Sequence, residues 1–398
     1  MSKKLLILGA SILQLPAIRK AKKLGLQVIA VDMDPNAIGF SESGIEKEVI
    51  STIDISAVLE AAKRHGIDGV MTLASDMPMR TVAVVAKELG LVGITEDTAF
   101  KATNKAAMRQ ALLEHGVPIP RFFKVSCLEE YQVAAKQFTN AFVVKPADNS
   151  GSRGIFLVKD CRDAVAVREA YEYSCTYSRS GDVVVEDYMR GPEVSVETLT
   201  VNGECHIIQI TDKLTTGAPH FVEMGHSQPT QLCSRTVEQI KWITQAANRA
   251  VGITNGPSHT EIIVTEDGPK IVELGARLGG DCITTHLVPL STGVDMVESC
   301  IRIALGETPD ISPKFKQGSA IRYFRQTAGV VERIDGVEEA EQMAGIQQVS
   351  IVHGVGEEVT EITSSGARLG FVIAQAETAE KAVALCEQVQ EKITIEIE

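Results

Sequence analysis

The sequence predicts an α/β (α+β) protein of two or three domains. Its length of 398 residues exceeds the span of about 100–200 residues that one domain usually fills. Residues 1–97 alternate β-type apolar segments with helical segments, which is typical of a parallel βαβ sheet. A second mixed unit follows over residues 121–190, and a strand hairpin is expected over residues 261–274.

Composition excludes several classes of protein. Hydrophobic residues make up 44% of the chain and charged residues 23%, which are ordinary values for a globular protein. We find no run of about 18 apolar residues, so no membrane span is expected, and we interpret the short N-terminal apolar segment as a strand rather than a signal peptide. The net charge of −13 disfavours nucleic acid as a partner.

The eight cysteines are scattered along the chain without a CxxC pair. This pattern argues against a zinc site or a disulfide framework, and it predicts reduced thiols and a cytoplasmic location. A small anionic substrate stays compatible with the acidic composition, because a local basic pocket can form in an acidic protein.

In the N-terminal segment we expect strands at residues 4–8, 27–31 and 69–73, and helices at residues 16–24, 56–65 and 79–89. The first turn invites comparison with the dinucleotide-binding GxGxxG pattern, but its glycine positions hold Gly9, Ser11 and Gln14. Asp32 stands where a ribose-binding acid would, yet two of the three glycines are missing. We therefore expect a structural Rossmann-like lobe and reject an NAD-dependent dehydrogenase.

Two lysines and a glycine-rich loop come next. Residues 98–115 are predicted to form one helix that contains Lys105, and Lys145 lies on a predicted strand at residues 142–146. The loop Asn149–Gly154 follows, with flanking strands expected at residues 122–125 and 155–158 and a helix at residues 128–137. Glycines let backbone N–H groups approach phosphate oxygens and a lysine adds charge, although the loop is no Walker motif. A plain flexible hairpin is the alternative interpretation.

Residues 183–193 are predicted to form a strand, a sharp linker and the start of a further strand. The backbone of such a linker can bond the edge of an adenine ring. Glu193, directly after the linker, could then accept hydrogen bonds from two ribose hydroxyls.

Residues 206–230 are interpreted as a long irregular segment, and loops of that length in compact domains are usually functional or disordered. Glu223 and His226 lie in it, three residues apart. Because the segment leads towards the predicted hairpin, we treat both side chains as functional candidates. A helix is expected at residues 235–251.

The hairpin at residues 261–274 carries two acids, Glu261 and Glu273. Side chains alternate along a strand, so the two share a face when they pair directly. That register also pairs residue 265 with residue 269 and places Gly268 where a three-residue turn needs a positive φ. Paired carboxylates repel unless a cation lies between them, and Mg²⁺ beside nucleotide phosphates suits such a pair.

Arg277 follows the second acid in a glycine-flanked turn, where its guanidinium can hold phosphoryl or carboxylate oxygens. An exposed hairpin with acids on its wet face is the alternative for this region. Beyond it we expect a helix at residues 295–305, then strands near residues 319–325, 348–351 and 369–375 and a helix at residues 379–391. We expect this last region to pack or to cap a substrate without contributing chemistry.

Taken together and in this order, the motifs over residues 1–306 resemble the ATP-grasp superfamily. The resemblance assigns roles residue by residue. It implies nucleotide contacts for Lys105, Lys145, Ser150, Gly151, Ser152, Gly154, Glu186, Asp187, Tyr188, Met189 and Glu193, Mg²⁺ ligation for Glu261 and Glu273, and a reaction-centre role for Arg277. The implied domains are a pre-grasp domain at residues 1–97, an ATP-grasp domain at residues 98–306 with a lid at about residues 120–186, and a C-terminal domain at residues 307–398.

Within the superfamily the chain is most similar to the L-amino-acid (dipeptide) ligases. The stretches at residues 221–226, 258–261, 273–281 and 291–295, together with the C-terminal region, carry that likeness. One position departs from the family pattern ExNxR, because Gly275 stands where an asparagine is usual. Its missing amide oxygen puts in doubt how tightly a second Mg²⁺ is held before ATP arrives.

The resemblance implies an ATP-dependent carboxylate–amine ligase that forms an acylphosphate and releases ADP and phosphate. ATP and Mg²⁺, for which Mn²⁺ can substitute, are the implied cofactors, and small carboxylate and amine compounds, above all amino acids, are the implied substrates. Arg277 would hold the acylphosphate or the oxyanion, while Glu223 and His226 would orient or deprotonate the amine. A homodimer is compatible with the resemblance.

Three alternatives stay open at this point. A purine-pathway-type ligase would need a phosphate-binding cluster in the N-terminal lobe, which Arg19, Lys20, Lys22 and Lys23 could supply, although their spacing suits a solvated helix face. A carbamoyl-phosphate-type ligase shares much of the same pattern. A nucleotide-binding protein without catalysis would bind ATP and show no substrate-dependent turnover.

Overall fold

The computed structural model describes residues 2–398. The N-terminal lobe contains, in chain order, β1 (Lys4–Leu8), α1 (Leu15–Lys23), β2 (Gln27–Asp32), β3 (Glu46–Val49), α2 (Ile55–His65), β4 (Gly69–Met71) and α3 (Pro78–Leu89). The four strands are parallel in the order β3-β2-β1-β4, which confirms the predicted βαβ pattern. Strand β3 was not predicted, because it is an edge strand whose sequence, EKEV, is mostly charged.

The turn after β1 is filled by the protein itself. Gln14 is buried, accepts a hydrogen bond from Ser11 and donates one to Ser75. The Asp32 carboxylate accepts from the backbone N–H of Ala10 at 2.8 Å. The Gln14 side chain and the Asp32 carboxylate, which a dinucleotide would meet, are therefore already hydrogen-bonded within the lobe. This agrees with a structural role for the lobe.

The predicted single helix over residues 98–115 is wrong. Two helices, α4 (Glu96–Lys101) and α5 (Lys105–Glu114), replace it. Asn104 has extended backbone angles, and its side chain accepts from the N–H of Ala107, so it caps a new helix. Lys105 consequently stands at the first residue of α5 instead of in a helix interior.

The next unit contains β5 (Phe122–Val125), α6 (Leu128–Ala135), β6 (Phe142–Pro146), β7 (Phe156–Val158), α7 (Ala164–Tyr177) and β8 (Val183–Asp187). Its strands form an antiparallel sheet in the order β5-β8-β6-β7. Aromatic and apolar side chains between this sheet and its two helices give the unit a hydrophobic core of its own.

The central part of the chain contains β9 (Glu193–Val201), β10 (Glu204–Thr215), β11 (Glu223–Gln228), α8 (Ser234–Val251), β12 (Gly256–Thr265), β13 (Gly268–Gly275), α9 (Val288–Thr292) and α10 (Met296–Ala304). A π-helical turn at Ile283–Leu287 precedes α9.

None of the helices described in residues 2–398 is long and apolar enough to cross a membrane.

The interpretation of residues 206–230 as irregular is wrong. Most of the segment forms the antiparallel pair β10–β11, and only a short connection at residues 216–222 and the last two residues, 229–230, lie outside the strands. Its polar side chains suggested a loop because one face of this strand pair borders the site described below rather than a hydrophobic core. Glu223 and His226 are therefore held on a strand.

The C-terminal region contains β14 (Gly318–Tyr323), β15 (Gly329–Asp335), α11 (Val337–Glu341), β16 (Ile346–Ile351), β17 (Glu358–Val359), β18 (Gly370–Ala376), α12 (Ala379–Lys392) and β19 (Thr394–Ile397). Strands β14, β18 and β16 continue the central sheet, which has the order β13-β12-β9-β10-β11-β14-β18-β16. The remaining three strands form a small separate sheet, β17-β15-β19. The C-terminal region is therefore hydrogen-bonded to the centre of the molecule through β11 and β14.

The helix cap at Asn104 supplies a stability test. We expect Asn104→Ala to lower the free energy of unfolding by about 1 kcal/mol, because α5 loses the acceptor for an N-terminal N–H. Urea denaturation measures the loss. Asn104→Asp keeps a capping oxygen and serves as the control; equal stability of the alanine variant and the wild type would contradict the capping role.

Candidate active site

A cleft of about 330 Å³ lies between the β5–β8 unit, one face of the central sheet and the N-terminal lobe. Every site residue predicted from the sequence lines it, apart from Gly154. Alternate residues of neighbouring strands form its floor, since β9 contributes Glu193 and β12 contributes His259 and Glu261. The opposite face of the same strands packs against α8 with buried apolar side chains.

The predicted pairing of the two acids is confirmed. Glu261 on β12 is the direct partner of Glu273 on β13. The rest of the predicted register is wrong, because Thr265 pairs with Gly268 rather than with residue 269. Val272 is an extra residue on β13 and forms a bulge, which absorbs the difference while leaving both acids on the cleft face.

Two lysines neutralise the acid pair. Lys213 Nζ lies 3.1 Å from Glu261 and 2.6 Å from Glu193, and Lys105 Nζ lies 2.9 Å from Glu273. Burial by itself would raise the pKa of Glu261, but Lys213 and His259 hold it well below its ordinary range. The three carboxylates around Lys213 likewise raise the pKa of this lysine against the effect of burial. Glu261 is thus ionised and able to bind a cation.

The donor set formed by Glu261 and Glu273 fits Mg²⁺ held jointly with phosphate oxygens. Mg²⁺ is usually bound through one or two carboxylates plus substrate phosphates rather than by an all-protein cage. Across residues 2–398 no group of three or more His, Cys, Asp or Glu side chains is arranged to hold a metal ion. Remaining ligands would therefore have to come from a nucleotide or from water.

Lys145 enters the cleft from the end of β6 and is paired with a buried acid. Its Nζ lies 2.7 Å from Glu186, and Glu186 also accepts two hydrogen bonds from Arg109, at 2.8 and 3.1 Å. Burial would raise the pKa of Glu186, but Arg109 and Lys145 lower it to about 2. Burial lowers the pKa of Lys145, and Glu186 opposes that effect. The carboxylate of Glu186 is fully engaged, so it is a partner of Lys145 rather than a free ligand group.

The loop Asn149–Gly154 covers the lysines. Lys105 Nζ donates to the carbonyl oxygen of Asn149 at 2.5 Å, which ties the loop to α5. Gly151 and Ser152 both have positive φ, 65° and 56°. Gly154 lies outside the cleft; a Cβ there would come within 2.6 Å of Tyr177, so this glycine permits close packing against α7. Ser150, Gly151 and Ser152 remain at the cleft.

The last residue of β8, Asp187, and the linker residues Tyr188 and Met189 contribute to the cleft wall. The Asp187 carboxylate accepts a hydrogen bond from Arg121 at 2.9 Å. The ring of Tyr188 lies 6.3 Å from that of Phe221, which comes from the β10–β11 connection. The two aromatic side chains leave an apolar wall next to Glu193.

Glu223 and His226 lie on the same face of β11, although a regular strand would place residues three apart on opposite faces. Met224 is an extra residue in the pairing with β10, and this bulge turns Glu223 towards Lys213. The Glu223 carboxylate lies 3.7 Å from Lys213 and accepts from Ser365 at 3.2 Å. Buried Nδ1 of His226 has no hydrogen-bond partner among the described residues.

The C-terminal region, which is expected to pack or to cap a substrate without contributing chemistry, contacts residues at the edge of the cleft. Arg368 donates two hydrogen bonds to Asp281, at 2.7 and 2.9 Å, and one to the carbonyl oxygen of Glu223. Its guanidinium also stacks 3.7 Å above the ring of Tyr323. Asp281 in turn lies 3.4 Å from His226. Burial would raise the pKa of Asp281, but Arg368 and His226 lower it.

A buried pair lies behind the acids. His259 Nδ1 is 2.7 Å from Glu197, and its Nε2 is 3.5 Å from Glu261. Burial would lower the pKa of His259, but Glu197 and Glu261 raise it to about 9. Gly279 is needed beside this pair, since a Cβ there would come within 2.8 Å of Glu197 and 2.7 Å of His259.

Arg277 lies at the edge of the acid pair and is held by Asp76 of the N-terminal lobe, with Nε 2.9 Å from Oδ1. Burial would lower the pKa of Arg277, but Asp76, Glu273 and Glu261 raise it.

Sequence reasoning missed several residues that the cleft depends on. These are Asp76, Glu197, Lys213, His259, Asp281 and Arg368. A signal existed for those on strands, because Glu193, Ser195 and Glu197 alternate on β9, as do His259 and Glu261 on β12. No local signal marks Asp76 or Arg368, whose partners lie far away in sequence.

Comparisons with known proteins agree with this fold. Residues 138–285 match the family model of the ATP-grasp domain, and residues 322–398 match the L-amino acid ligase C-terminal domain 2. An L-arginine-specific L-amino acid ligase of Bacillus subtilis is 26% identical over 356 residues, covering 85% of this chain and 83% of the relative.

Two solved structures share the fold over the whole chain. The crystal structure of an L-amino acid ligase from Bacillus licheniformis has a TM-score of 0.85 and 25% identity, covering 100% of this chain and 99% of the other. A phosphoribosylglycinamide synthetase from Anaerococcus prevotii has a TM-score of 0.81 and 22% identity, covering 100% of both chains. At that identity the second likeness concerns the fold alone.

The buried Arg109–Glu186–Lys145 group supports a second stability prediction. We expect Glu186→Gln to lower the free energy of unfolding by about 3–5 kcal/mol, because two buried cations lose their counter-charge. Urea denaturation measures this loss. Since the pKa of Glu186 is lowered from 4.5 to about 2, its contribution is present above about pH 4.5 and is lost as the pH falls towards 2.

Glu238→Gln, which removes one partner of an exposed ion pair with Lys241, is the matched control. It should change stability by roughly 0.5 kcal/mol or less. Equal effects of the two substitutions would show that the buried group does not stabilise the fold.

Proposed function

Because this chain is an ATP-grasp ligase that carries an L-amino acid ligase C-terminal domain, we propose that it joins the carboxylate of one amino acid to the amine of another, with conversion of ATP to ADP and phosphate. The observation that carries the proposal is the meeting in one cleft of Lys105, Lys145, the acid pair and Arg277. Phosphoryl transfer to a carboxylate brings several negative charges together, and these cations with a bound metal ion can balance them.

The nucleotide is proposed to lie between the glycine loop and the floor of the cleft. Lys105 and Lys145 would contact its phosphates together with N–H groups of Ser150, Gly151 and Ser152. The adenine would lie along the linker at residues 187–189, whose aromatic wall suits a flat ring. Glu193 would accept from the ribose hydroxyls, and Lys213 holds its carboxylate in place for that contact.

Glu261 and Glu273 are the proposed ligands of Mg²⁺, and Mn²⁺ is proposed as a substitute because it prefers the same oxygen ligands. When bound, the ion would supply positive charge to the phosphate oxygens. Both carboxylates are presented without rearrangement of the hairpin, since they already pair directly across it.

The first proposed step is phosphorylation of the carboxylate substrate. A carboxylate oxygen attacks the γ-phosphorus, the bond from that phosphorus to the bridging oxygen of ADP breaks, and ADP leaves with the electron pair. Lys105 and Lys145 stabilise the charge that develops on the transferred group and on ADP. The glycine loop and the β5–β8 unit exclude water, which would hydrolyse the resulting acylphosphate.

The second proposed step is attack of the amine on the acyl carbon. The carbonyl oxygen becomes an oxyanion, and Arg277 holds this oxygen or the departing phosphate. The bond from carbon to the phosphate oxygen then breaks, phosphate leaves, and the amine nitrogen loses a proton. Glu223 and His226 are the proposed groups that orient the amine and accept the proton, since both face the cleft and Nδ1 of His226 lacks a partner.

The purine-type alternative finds little support in the N-terminal lobe. It needs free basic side chains for a ribose phosphate, but Arg19 and Lys22 are both paired with Glu42, at 2.7 and 2.8 Å. Lys20 is paired with Asp295. The amino-acid substrates are favoured instead because the C-terminal L-amino acid ligase domain supplies Ser365 and Arg368 to the amine side of the cleft.

The decisive test incubates the protein with Mg·ATP and amino acids, singly and in pairs, and measures ADP, AMP, phosphate and product mass. We expect amino-acid-dependent release of ADP and phosphate and a new dipeptide mass. Release of AMP and pyrophosphate would overturn the acylphosphate mechanism. ADP release that responds to other carboxylates would point to a purine-type or carbamoyl-phosphate-type ligase, and ATP binding without any turnover would point to a non-catalytic nucleotide-binding protein.

Arg277 gives a sharper test of the chemistry. We expect Arg277→Ala to lower kcat by about 10²–10³, as loss of one oxyanion contact typically does, while affinity for ATP changes little. Arg302→Ala, which removes a surface arginine paired with Glu298, is the control and should keep full turnover. Full turnover of the Arg277 variant would show that this side chain has no part in the reaction.

A further inference from the structure

Asp76 belongs to the N-terminal lobe, in the segment between β4 and α3, yet it forms its ion pair with an arginine 201 residues away in sequence. Arg277 Nε donates to Asp76 Oδ1 at 2.9 Å, and Nη2 lies 3.5 Å from Oδ2. Only 17% of the Arg277 side chain and 14% of the Asp76 side chain are exposed. A backbone hydrogen bond from Leu278 N to Leu73 O, at 3.0 Å, fixes the two segments beside the pair.

The contacts of Arg277 leave part of its guanidinium free. Asp76 engages the edge formed by Nε and Nη2, and the carbonyl oxygen of Leu278 accepts from Nη1 at 3.2 Å. A guanidinium has five N–H groups in a rigid plane. With three of them engaged, the plane is fixed and the two remaining N–H groups, one on each terminal nitrogen, can bind oxygens at the cleft.

Gly275 provides the space for this pair. A Cβ at residue 275 would lie 3.0 Å from Asp76 Oδ1 and 3.3 Å from Arg277 Nε. Both distances are shorter than ordinary van der Waals contacts of a Cβ, so a side chain there would require Asp76 or Arg277 to shift by a few tenths of an ångström, which disturbs the contact between them. Gly275 has no positive φ, so backbone conformation does not explain why glycine stands here.

We propose that Asp76 is a positioning residue for Arg277, and that Gly275 is required because it leaves room for the Asp76 carboxylate. The N-terminal lobe thereby takes part in the reaction by orienting the arginine that binds the transferred phosphoryl group or the oxyanion. This inference rests on the role given to Arg277 in the proposed function. Asp76 lines the same cleft, and the role proposed for it is exerted through Arg277.

The experiment compares kcat and KM for ATP between the wild type and a set of single and double variants, measured with Mg·ATP and the active amino-acid pair. Asp76→Asn keeps the size of the side chain but loses its charge, and we expect kcat to fall about 10- to 100-fold with KM for ATP within about 2-fold. Because Asp76 acts through Arg277, the double variant Asp76→Asn/Arg277→Ala should be no slower than Arg277→Ala alone. Gly275→Ala should also lower kcat when it is introduced into the wild type. Introduced into the Asp76→Ala variant, which has no carboxylate to displace, it should change kcat little further.

Lys20→Gln is the matched control, because it removes another ion pair between the N-terminal lobe and the body, with Asp295, away from the cleft. It should keep the wild-type kcat. A Lys20→Gln loss equal to that of Asp76→Asn would show that general docking of the lobe, rather than orientation of Arg277, is responsible. Full kcat of Asp76→Asn, or losses that simply add in the double variant, would equally overturn the proposal.

Failure of the proposed function would be seen separately. ATP turnover by the wild type that does not depend on amino acids would overturn the amino-acid proposal alone, because the same variants can be compared on that turnover. Wild-type protein that binds ATP but never turns it over would overturn both. Circular dichroism of each variant identifies one that fails to fold, and Asp76→Glu then replaces it, with partial recovery of kcat expected.

Discussion

Two carboxylates facing each other across the β12–β13 hairpin are the constraint on which the rest of the site depends. Glu261 and Glu273 would repel each other if nothing balanced their charge. Lys213 and Lys105 approach them from β10 and from the start of α5, and Arg277 lies at their edge. Each of these cations is in turn held by a further partner, so the charges form a connected set spread over the N-terminal lobe, α5 and the central sheet.

The connections of that set explain why the separate sheets form one site. Arg109 of α5 bonds both Glu186 of the β5–β8 unit and the backbone carbonyl of Val272 at the β13 bulge. Asp76 brings the N-terminal lobe to Arg277, and Arg368 brings the C-terminal region to Asp281. Because these ions are buried or half-buried, losing one partner leaves a charge that water cannot readily solvate. Stability and site geometry therefore rest on the same side chains.

Two β-bulges determine that functional side chains lie on the cleft face of the central sheet. On β13 the extra residue Val272 keeps Glu273 opposite Glu261, and on β11 the extra residue Met224 puts Glu223 on the face that already holds His226 and Lys213. A regular strand would have turned one residue of each set to the opposite face. The central sheet has other bulges, between β9 and β10 and between β16 and β18, but these two lie where the cleft needs polar groups.

The sequence by itself determined the βαβ lobe, the lysines, the glycine loop and the presence of a hairpin with paired acids, because each depends on local spacing. The predicted turn of that hairpin was wrong, and the bulge at Val272 restores the pairing of the acids. It led to errors at residues 98–115, where the capping side chain of Asn104 ends one helix and begins another, and at residues 206–230, where cleft-facing strands have a loop-like polarity. Only the tertiary structure decided the partners of Arg277, Asp281 and Lys213. Those partners come from segments distant in sequence, and burial of opposite charges, which selects them, arises only after the chain has folded.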